Sequence, residues 1–398
     1  MKTIGMVLEN HKGVGPGFDF LRVFLALSIV GLHALTVTNQ YYVPHSLDET
    51  PFWIVHYSLV PMFFALSGFL ISGSAGRLSL KNFLINRGLR IVPALAVDTF
   101  VCALIIGPIF TTVSLRHYFI NTEFVMFFFN IVGWVHFTLP GVFTTLTVPR
   151  VNGSLWTVPF ELMCYALISI MIVIRIIKTR FLVLAFVLGY LAVSVAVQMS
   201  DLPSLVHPPA LGKMLSVMFV EHEAQAVTGF LFGIVAFQNK DRIPYNLYFF
   251  ITCVLVVAGI SFALDMDQGQ SPILRFILMP AIAYITVFIG LTPMPLPAFF
   301  KTGDYSYGIY LYHQPFLQIV ISLFPAFALA PGTGAAFTFF AGLPFVLGVA
   351  WLSWHMIEKP ILALRRRYSI IAKMRGVEAA AAMSPAETSN TIELSSAE

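Results

Sequence analysis

The sequence predicts an all-α membrane protein, a polytopic helix bundle with about ten transmembrane helices. Three observations lead there. Of 398 residues, 58% are hydrophobic and 11% charged, with a mean hydropathy of +0.84, where a soluble domain carries about 25% charged residues. The apolar residues gather into runs of the roughly 20-residue length that crosses a bilayer. The basic residues collect in alternate connections between those runs, the bias that orients membrane helices. A packed soluble core of several hundred residues is thereby excluded. Cys102, Cys164 and Cys253 all lie in apolar runs and read as small hydrophobes. They have no metal-ligand spacing, so no metal is expected.

The runs fall near 18–38, 53–73, 91–110, 155–175, 181–199, 219–238, 245–264, 273–292, 304–324 and 335–357. An eleventh candidate, 118–139, is decided by charge. With both termini cytoplasmic and 118–139 not spanning, five basic groups face inward: Arg77 to Arg90, Arg175 to Arg180, Lys240 with Arg242, Lys301, and Arg365 to Arg375. Arg116, Arg150, Lys213 and Arg275 are left outside, with Asp48, Glu49, Asp201, Asp265 and Asp267. A spanning 118–139 reverses every later loop, so 111–152 reads as an extracytoplasmic excursion, re-entrant or interfacial. Residues 1–17 read as a cytoplasmic N-terminal segment. They are glycine-rich and precede a run of full spanning length, unlike a cleaved signal. Residues 18–368 form the transmembrane unit. Residues 369–398, rich in Ala, Ser, Thr and Glu, read as a disordered cytoplasmic tail. With no soluble domain expected, any chemistry belongs to the bundle.

The first run carries Arg22 and His33. Ionisable groups inside a membrane helix are costly and mark pathways or reaction sites. Eleven residues of helix return to within about 20° of the same face, roughly 16 Å further along. A cation near one surface therefore lies below an acid–base group deeper in the bilayer. In the second run Ser67, Gly68 and Gly73 sit among large apolar residues, and suit either close helix packing or the lining of a ligand site. Arg87 and Arg90 share a helix face at the start of the third run, with Pro93 in its first turn. They suit either positive-inside anchoring or phosphate recognition, to which a helix N-terminus adds. Asp98 reads as an internal partner for a buried cation.

The fourth run opens NGSLWTVPFELMCY. Trp156 reads as an interface anchor. Glu161, a turn into the apolar run, needs a cation or a substrate hydroxyl, and Tyr165 follows on its face. Glu221, His222 and Glu223 suit a solvated helix start better than a metal site. In GDYSYGIYLYHQPF, Asp304 or Ser306 caps a helix that presents Tyr305, Tyr307, Tyr310, Tyr312 and His313. At the last boundary Pro360 ends the helix, and Glu358 braces the cytoplasmic arginines.

Taken together these motifs resemble the acyltransferase 3 family of integral membrane acyltransferases over nearly the whole chain to about residue 368. The resemblance rests on Arg22 with His33, on Phe63 to Leu70 (FFALSGFL), on Arg87 and Arg90 before Pro93, on Leu155, Trp156, Thr157 and Glu161, on Ser306, Tyr307, Tyr310, Leu311 and His313, and on Glu358–Lys359–Pro360. Gly88 departs from it, since many members carry a second arginine there. Pro159 interrupts the helix ahead of the glutamate.

The resemblance implies an acyltransferase that moves an acyl group, usually acetyl, from cytoplasmic acyl-CoA to a hydroxyl of a cell-surface glycan or its lipid-linked precursor, without a fused hydrolase-like domain. The implied setting is a bacterial inner membrane. The implied partners are acyl-CoA, a carbohydrate or glycolipid acceptor and membrane lipid, with no nucleic acid. No permanent cofactor is implied; acetyl-CoA or another acyl-CoA is the donor. On this reading Arg22, Arg87 and Arg90 hold the CoA phosphates. His33 removes the hydroxyl proton as the hydroxyl attacks the thioester, or the acyl group passes through an acyl-histidine intermediate, and Glu161 orients the imidazole or the acceptor. Ser67, Trp156, Tyr165, Tyr310 and His313 bind or support, and whether His33 or His313 takes the proton stays open. The competing class is a transporter or flippase-type subunit of a glycan export pathway, for which buried charges and broken helices also suit a substrate path. The absence of repeated halves weighs against it.

Overall fold

The computed structural model of the chain describes residues 2–38, 50–200, 202, 206–221, 223–265, 271 and 273–363. Asp48, Glu49, Asp201, His222, Asp267, the C-terminal basic cluster and the tail at 369–398 lie outside the described residues. The described residues form helices without a strand, with only isolated bridges at Thr3–Pro244 and Thr111–Val142.

A short helix α1 (Ile4–Asn10) precedes α2 (Phe18–Thr38), α3 (Trp53–Ala75) and α4 (Leu80–Val101). α4 runs on through a π-turn at Cys102–Ile106 into Gly107–Phe110. The next stretch holds only short helices, α5 (Leu115–Ile120) and α6 (Thr122–Phe127), and irregular backbone. Then follow α7 (Val158–Val173), α8 (Arg180–Met199), α9 (Pro209–Phe219), α10 (Ala224–Gln238), α11 (Leu247–Ala263), α12 (Arg275–Leu291), α13 (Ser306–Leu323) and α14 (Gly334–Ser353). A second π-turn, Trp354–Glu358, joins α14 to α15 (Lys359–Ala363).

Among the described residues, six helices are long and apolar enough to cross a membrane: Phe18–Thr38, Trp53–Ala75, Leu80–Phe110, Gly153–Val173, Arg180–Met199 and Gly334–Ala363. The protein is an integral membrane, all-α bundle. The shorter apolar helices Ala224–Gln238, Leu247–Ala263 and Arg275–Leu291 are only about 25 Å long.

The core forms around α3 and α10, which pack along their whole length because small residues let their backbones touch. A Cβ added at Gly68 meets the Phe230 carbonyl oxygen at 2.1 Å, and one at Gly233 meets that of Ala65 at 2.1 Å. Close approach of this kind is what holds membrane helices together where no hydrophobic force acts between them. α13 packs on α14 and α2, which brings the first and last motif helices side by side.

Three local expectations are corrected. The third helix begins at Leu80, where Ser79 accepts the Asn82 N–H at 3.3 Å, so Arg87 and Arg90 lie about two turns inside it and Pro93 lies in its interior. The helix N-terminus adds nothing at that depth, because its field falls off within the first turn. Pro159 starts α7 rather than interrupting it; a first-turn proline gives up an N–H that has no helical partner. Pro360 does not end its helix. The π-turn shifts the Lys359 N–H to the Trp354 carbonyl, which opens a new first turn where a proline is tolerated.

Candidate active site

The motif side chains converge on a chamber of about 470 Å³ between α2, α3, α4, α7 and α13, within the size range of small-molecule sites. α2 contributes Arg22, α3 Ser67, and α4 both Arg87 and Arg90. α7 contributes Glu161 and Tyr165. Asp304, Tyr307, Tyr310 and Trp354 add to the polar lining, with the hydroxyls of Ser74, Thr157 and Ser306. The alternatives for the second run therefore divide by residue: Gly68 serves packing, while Ser67 faces the chamber.

The charges in the chamber are organised around Asp304. Its Oδ2 accepts from Arg90 Nη2 at 2.7 Å and lies 3.5 Å from Arg22 Nη1. Its Oδ1 accepts from the Ser306 hydroxyl at 2.8 Å, which ties the start of α13 into the cluster. Arg90 also reaches Glu358 at 3.8 Å, and Glu358 accepts from Ser353 at 2.9 Å. Arg22 has a second carboxylate in Asp19 at 3.4 Å. Arg87 has no ion-pair partner among the described residues. Its guanidinium rests 5.9 Å from the Phe83 ring centroid, and its buried Nε has no hydrogen-bond partner. Arg87 is half-buried, and of the three chamber arginines it is the one left free to meet an arriving anion. Glu161 accepts from the Tyr165 hydroxyl at 2.5 Å, a contact that their four-residue spacing on one helix face allows.

His33 and His313 lie beyond the chamber wall and meet each other. His33 Nδ1 is 2.6 Å from His313 Nε2, and His313 Nδ1 is 2.6 Å from the Tyr310 carbonyl oxygen. The proton positions follow from this network. A carbonyl only accepts, so His313 carries its proton on Nδ1 and offers the Nε2 lone pair. His33 therefore donates from Nδ1, which leaves its Nε2 as an open acceptor. Tyr310 links the two regions. Its hydroxyl meets Thr157 at 3.0 Å and the Ser154 carbonyl at 3.3 Å, while its ring lies 6.0 Å from that of His313 and 6.1 Å from that of Phe63.

A buried amide network sets the height of α13. Asn152 Nδ2 donates to Asp98 at 2.9 and 3.0 Å and to the Leu311 carbonyl at 2.9 Å. Ser154 joins through Asn152 Oδ1 at 2.5 Å. Asp98 thus faces an amide, with Cys102 Sγ at 3.7 Å, and not a cation. At this depth an amide satisfies both oxygens without bringing in a second charge.

Of the candidates, Arg22, Ser67, Arg87, Arg90, Glu161, Tyr165 and Tyr310 share the chamber, and His33 and His313 form the pair. Glu161 lies with the arginines, whereas the partner of the His33 imidazole is His313. Trp156 sits edge-on to Phe160 at 5.9 Å and is not on the chamber wall. Glu221 accepts from Lys213 at 2.7 Å and Ser216 at 2.8 Å. No group of three potential metal ligands occurs among the described residues. Sequence reasoning missed Asn152 and Ser154 and took Asp304 for a helix cap only. The signal was there in polar residues directly bordering the apolar runs.

An acyltransferase domain model matches residues 16–355. The chain belongs to the acyltransferase 3 family. As a family member it is a membrane acyltransferase, and the match takes in every polar residue of the chamber and both histidines. Among curated relatives, a "nodulation protein 10" of Rhizobium leguminosarum bv. viciae is 26% identical over 384 residues, 93% of this chain and 98% of that one. An "O-acetyl transferase" of Shigella phage Sf6 is 25% identical over 309 residues, 76% of this chain and 84% of that one. No solved structure matches the chain.

Proposed function

We propose that this acyltransferase moves an acetyl or other short acyl group from cytoplasmic acyl-CoA to a hydroxyl of a cell-surface glycan or its lipid-linked precursor. In this reading it works in a bacterial inner membrane, with ten crossings and both termini cytoplasmic. The observation that carries it is the chamber with three arginines, linked through Tyr310 to a hydrogen-bonded histidine pair. Arginine forks suit phosphate groups. A neutral imidazole with one free lone pair suits removal of a hydroxyl proton. The O-acetyl transferase relative favours an oxygen acceptor, and the two relatives together leave the choice of acceptor to experiment.

Arg87, Arg90 and Arg22 hold the donor, and its thioester reaches past Tyr310 toward His33. The acceptor oxygen attacks the thioester carbon while His33 Nε2 takes the hydroxyl proton. The new C–O bond forms and the C–S bond breaks. The imidazolium then returns the proton to the departing thiolate. His313 accepts from His33 Nδ1–H throughout, which fixes the tautomer and the ring angle. Glu161 with Tyr165 serves the donor side, by holding the arginines in place.

The test is a reconstitution. Purified protein in lipid nanodiscs is given labelled acetyl-CoA and surface glycan or its lipid-linked precursor. The expected result is glycan carrying base-labile label in ester linkage. Passage of glycan across a vesicle membrane with no covalent change would overturn the proposal in favour of transport.

A further inference from the structure

A second cavity, of about 770 Å³, adjoins the first. Leu70 and Ser74, one turn apart on α3, line both. Its floor is aromatic: Phe69 lies edge-on to Phe237 at 5.4 Å and to Phe18 at 5.9 Å. Its rim carries Lys12, Arg77, Lys178 and Lys240, with Glu9 as the one carboxylate. Lys240 is paired with Asp241 at 2.9 Å. Lys12, Arg77 and Lys178 are exposed and have no ion-pair partner among the described residues.

The N-terminal segment builds this cavity's outer wall. The Ile4 and Gly5 N–H groups donate to the Ile243 and Lys240 carbonyls at 3.1 and 2.8 Å, and the Tyr245 N–H donates to the Lys2 carbonyl at 2.8 Å. The approach is close at Gly5, where an added Cβ falls 1.9 Å from Asp241 Oδ1 and the Asp241 side chain has to move aside. A short helix pinned so closely over a hollow, with cations at its rim, suits ligand enclosure better than charge bias alone. The positive-inside rule asks for basic loops; it does not ask for a cavity with an apolar floor beneath them.

We infer that this second cavity holds the phosphate-bearing nucleotide end of the donor, while the acyl arm passes Leu70 and Ser74 into the chamber. The inference rests on the acyl-CoA reading above. Charge favours it. In the chamber the charges of Arg22 and Arg90 are already balanced by Asp304 and Glu358, so of the three arginines that meet the donor only Arg87 brings an unpaired charge. A donor with a nucleotide diphosphate and a further phosphate brings several negative charges, more than one arginine balances. The second cavity supplies three more cations and an apolar surface for a base. A lipid headgroup shares the phosphate chemistry. The wall common to both cavities favours an elongated molecule that occupies the two together.

The experiment compares wild type with Arg77→Gln/Lys178→Gln and with Gly73→Leu. A Cβ at Gly73 lies 3.3 Å from Phe237 and 3.9 Å from Arg77, so the leucine fills the hollow without a change of charge. Folding is checked by thermal midpoint. The expected result is a KM for acetyl-CoA raised about tenfold or more, with kcat and the KM for acetyl-pantetheine, which lacks the nucleotide, unchanged. Adenosine 3′,5′-bisphosphate should bind wild type and lose affinity for both variants by a similar factor. Equal losses with both donors, or unchanged binding of adenosine 3′,5′-bisphosphate, overturn the inference. So does an effect confined to nanodiscs containing phosphatidylglycerol and absent in pure phosphatidylcholine, which assigns the cavity to lipid. If CoA bound by Arg87 still supports transfer in any of these cases, the proposed function stands and this inference alone falls.

Discussion

In the chamber, two arginines close on one carboxylate within 3.5 Å, a third stands without an ion pair, and Glu358 and Glu161 border them. At the histidine pair, where His33 of α2 meets His313 of α13, no carboxylate takes part. The two rings are joined at 2.6 Å and anchored on a backbone carbonyl. Both regions are buried and polar, yet one is built from charges and the other from neutral groups. Paired charges in a low-dielectric site hold a ligand firmly but resist a change of protonation. His33, held neutral against His313, which is itself anchored on a carbonyl, keeps its Nε2 lone pair available to accept a proton. Under the proposed function the difference separates donor binding from chemistry, with Arg22 and His33 toward opposite ends of α2 and Tyr310 of α13 at the join.

Substitutions that break one side and leave the other intact sharpen this comparison. His33→Ala has the largest expected effect: turnover falls by about 10²- to 10⁴-fold, the usual contribution of a general base, as measured by transfer of labelled acetyl at saturating donor. Arg87→Ala comes next. It weakens CoA by roughly 10- to 100-fold, as expected for loss of hydrogen bonds to a charged group, in equilibrium binding with CoA alone. For His313, two variants separate positioning from bulk. His313→Gln keeps an acceptor for His33 Nδ1–H, and His313→Leu does not. The leucine variant should lose about tenfold more kcat than the glutamine variant, with donor KM alike in both. A drop in kcat equal in the two assigns His313 a packing role only. The smallest effect is on stability. Asn152→Leu leaves Asp98 and the Leu311 carbonyl without their shared donor, which costs about 1–3 kcal/mol, seen as a lower thermal midpoint in detergent.

Much of the fold was legible because bilayer thickness imposes a length on apolar runs. The runs at 18–38 and 181–199 reappear almost residue for residue as α2 and α8. The third helix reads short in the sequence because Lys81, Arg87 and Arg90 hide about three helical turns from hydropathy, although Ser79 with Asn82 is a readable cap. At the site, spacing within one helix was readable: Glu161 with Tyr165, and Arg87 with Arg90. Contacts across helices were not. His33 meets His313 across 280 residues, and Asn152, not a cation, satisfies Asp98. One sequence shows which groups are costly to bury, and only the packing shows which group answers them. Pro159 and Pro360 teach the same lesson locally, since each is harmful inside a helix and harmless at a new start.

The central claim is that the arginines bind and the histidine pair reacts. Its most direct test measures CoA affinity and single-turnover acyl transfer on the same preparations of His33→Ala and Arg87→Ala. Opposite profiles are expected. His33→Ala keeps the wild-type CoA affinity and loses transfer, while Arg87→Ala loses affinity and transfers at near the wild-type rate once donor is saturating. If both variants lose affinity and turnover in parallel, or if His33→Ala transfers at the wild-type rate, the division is contradicted.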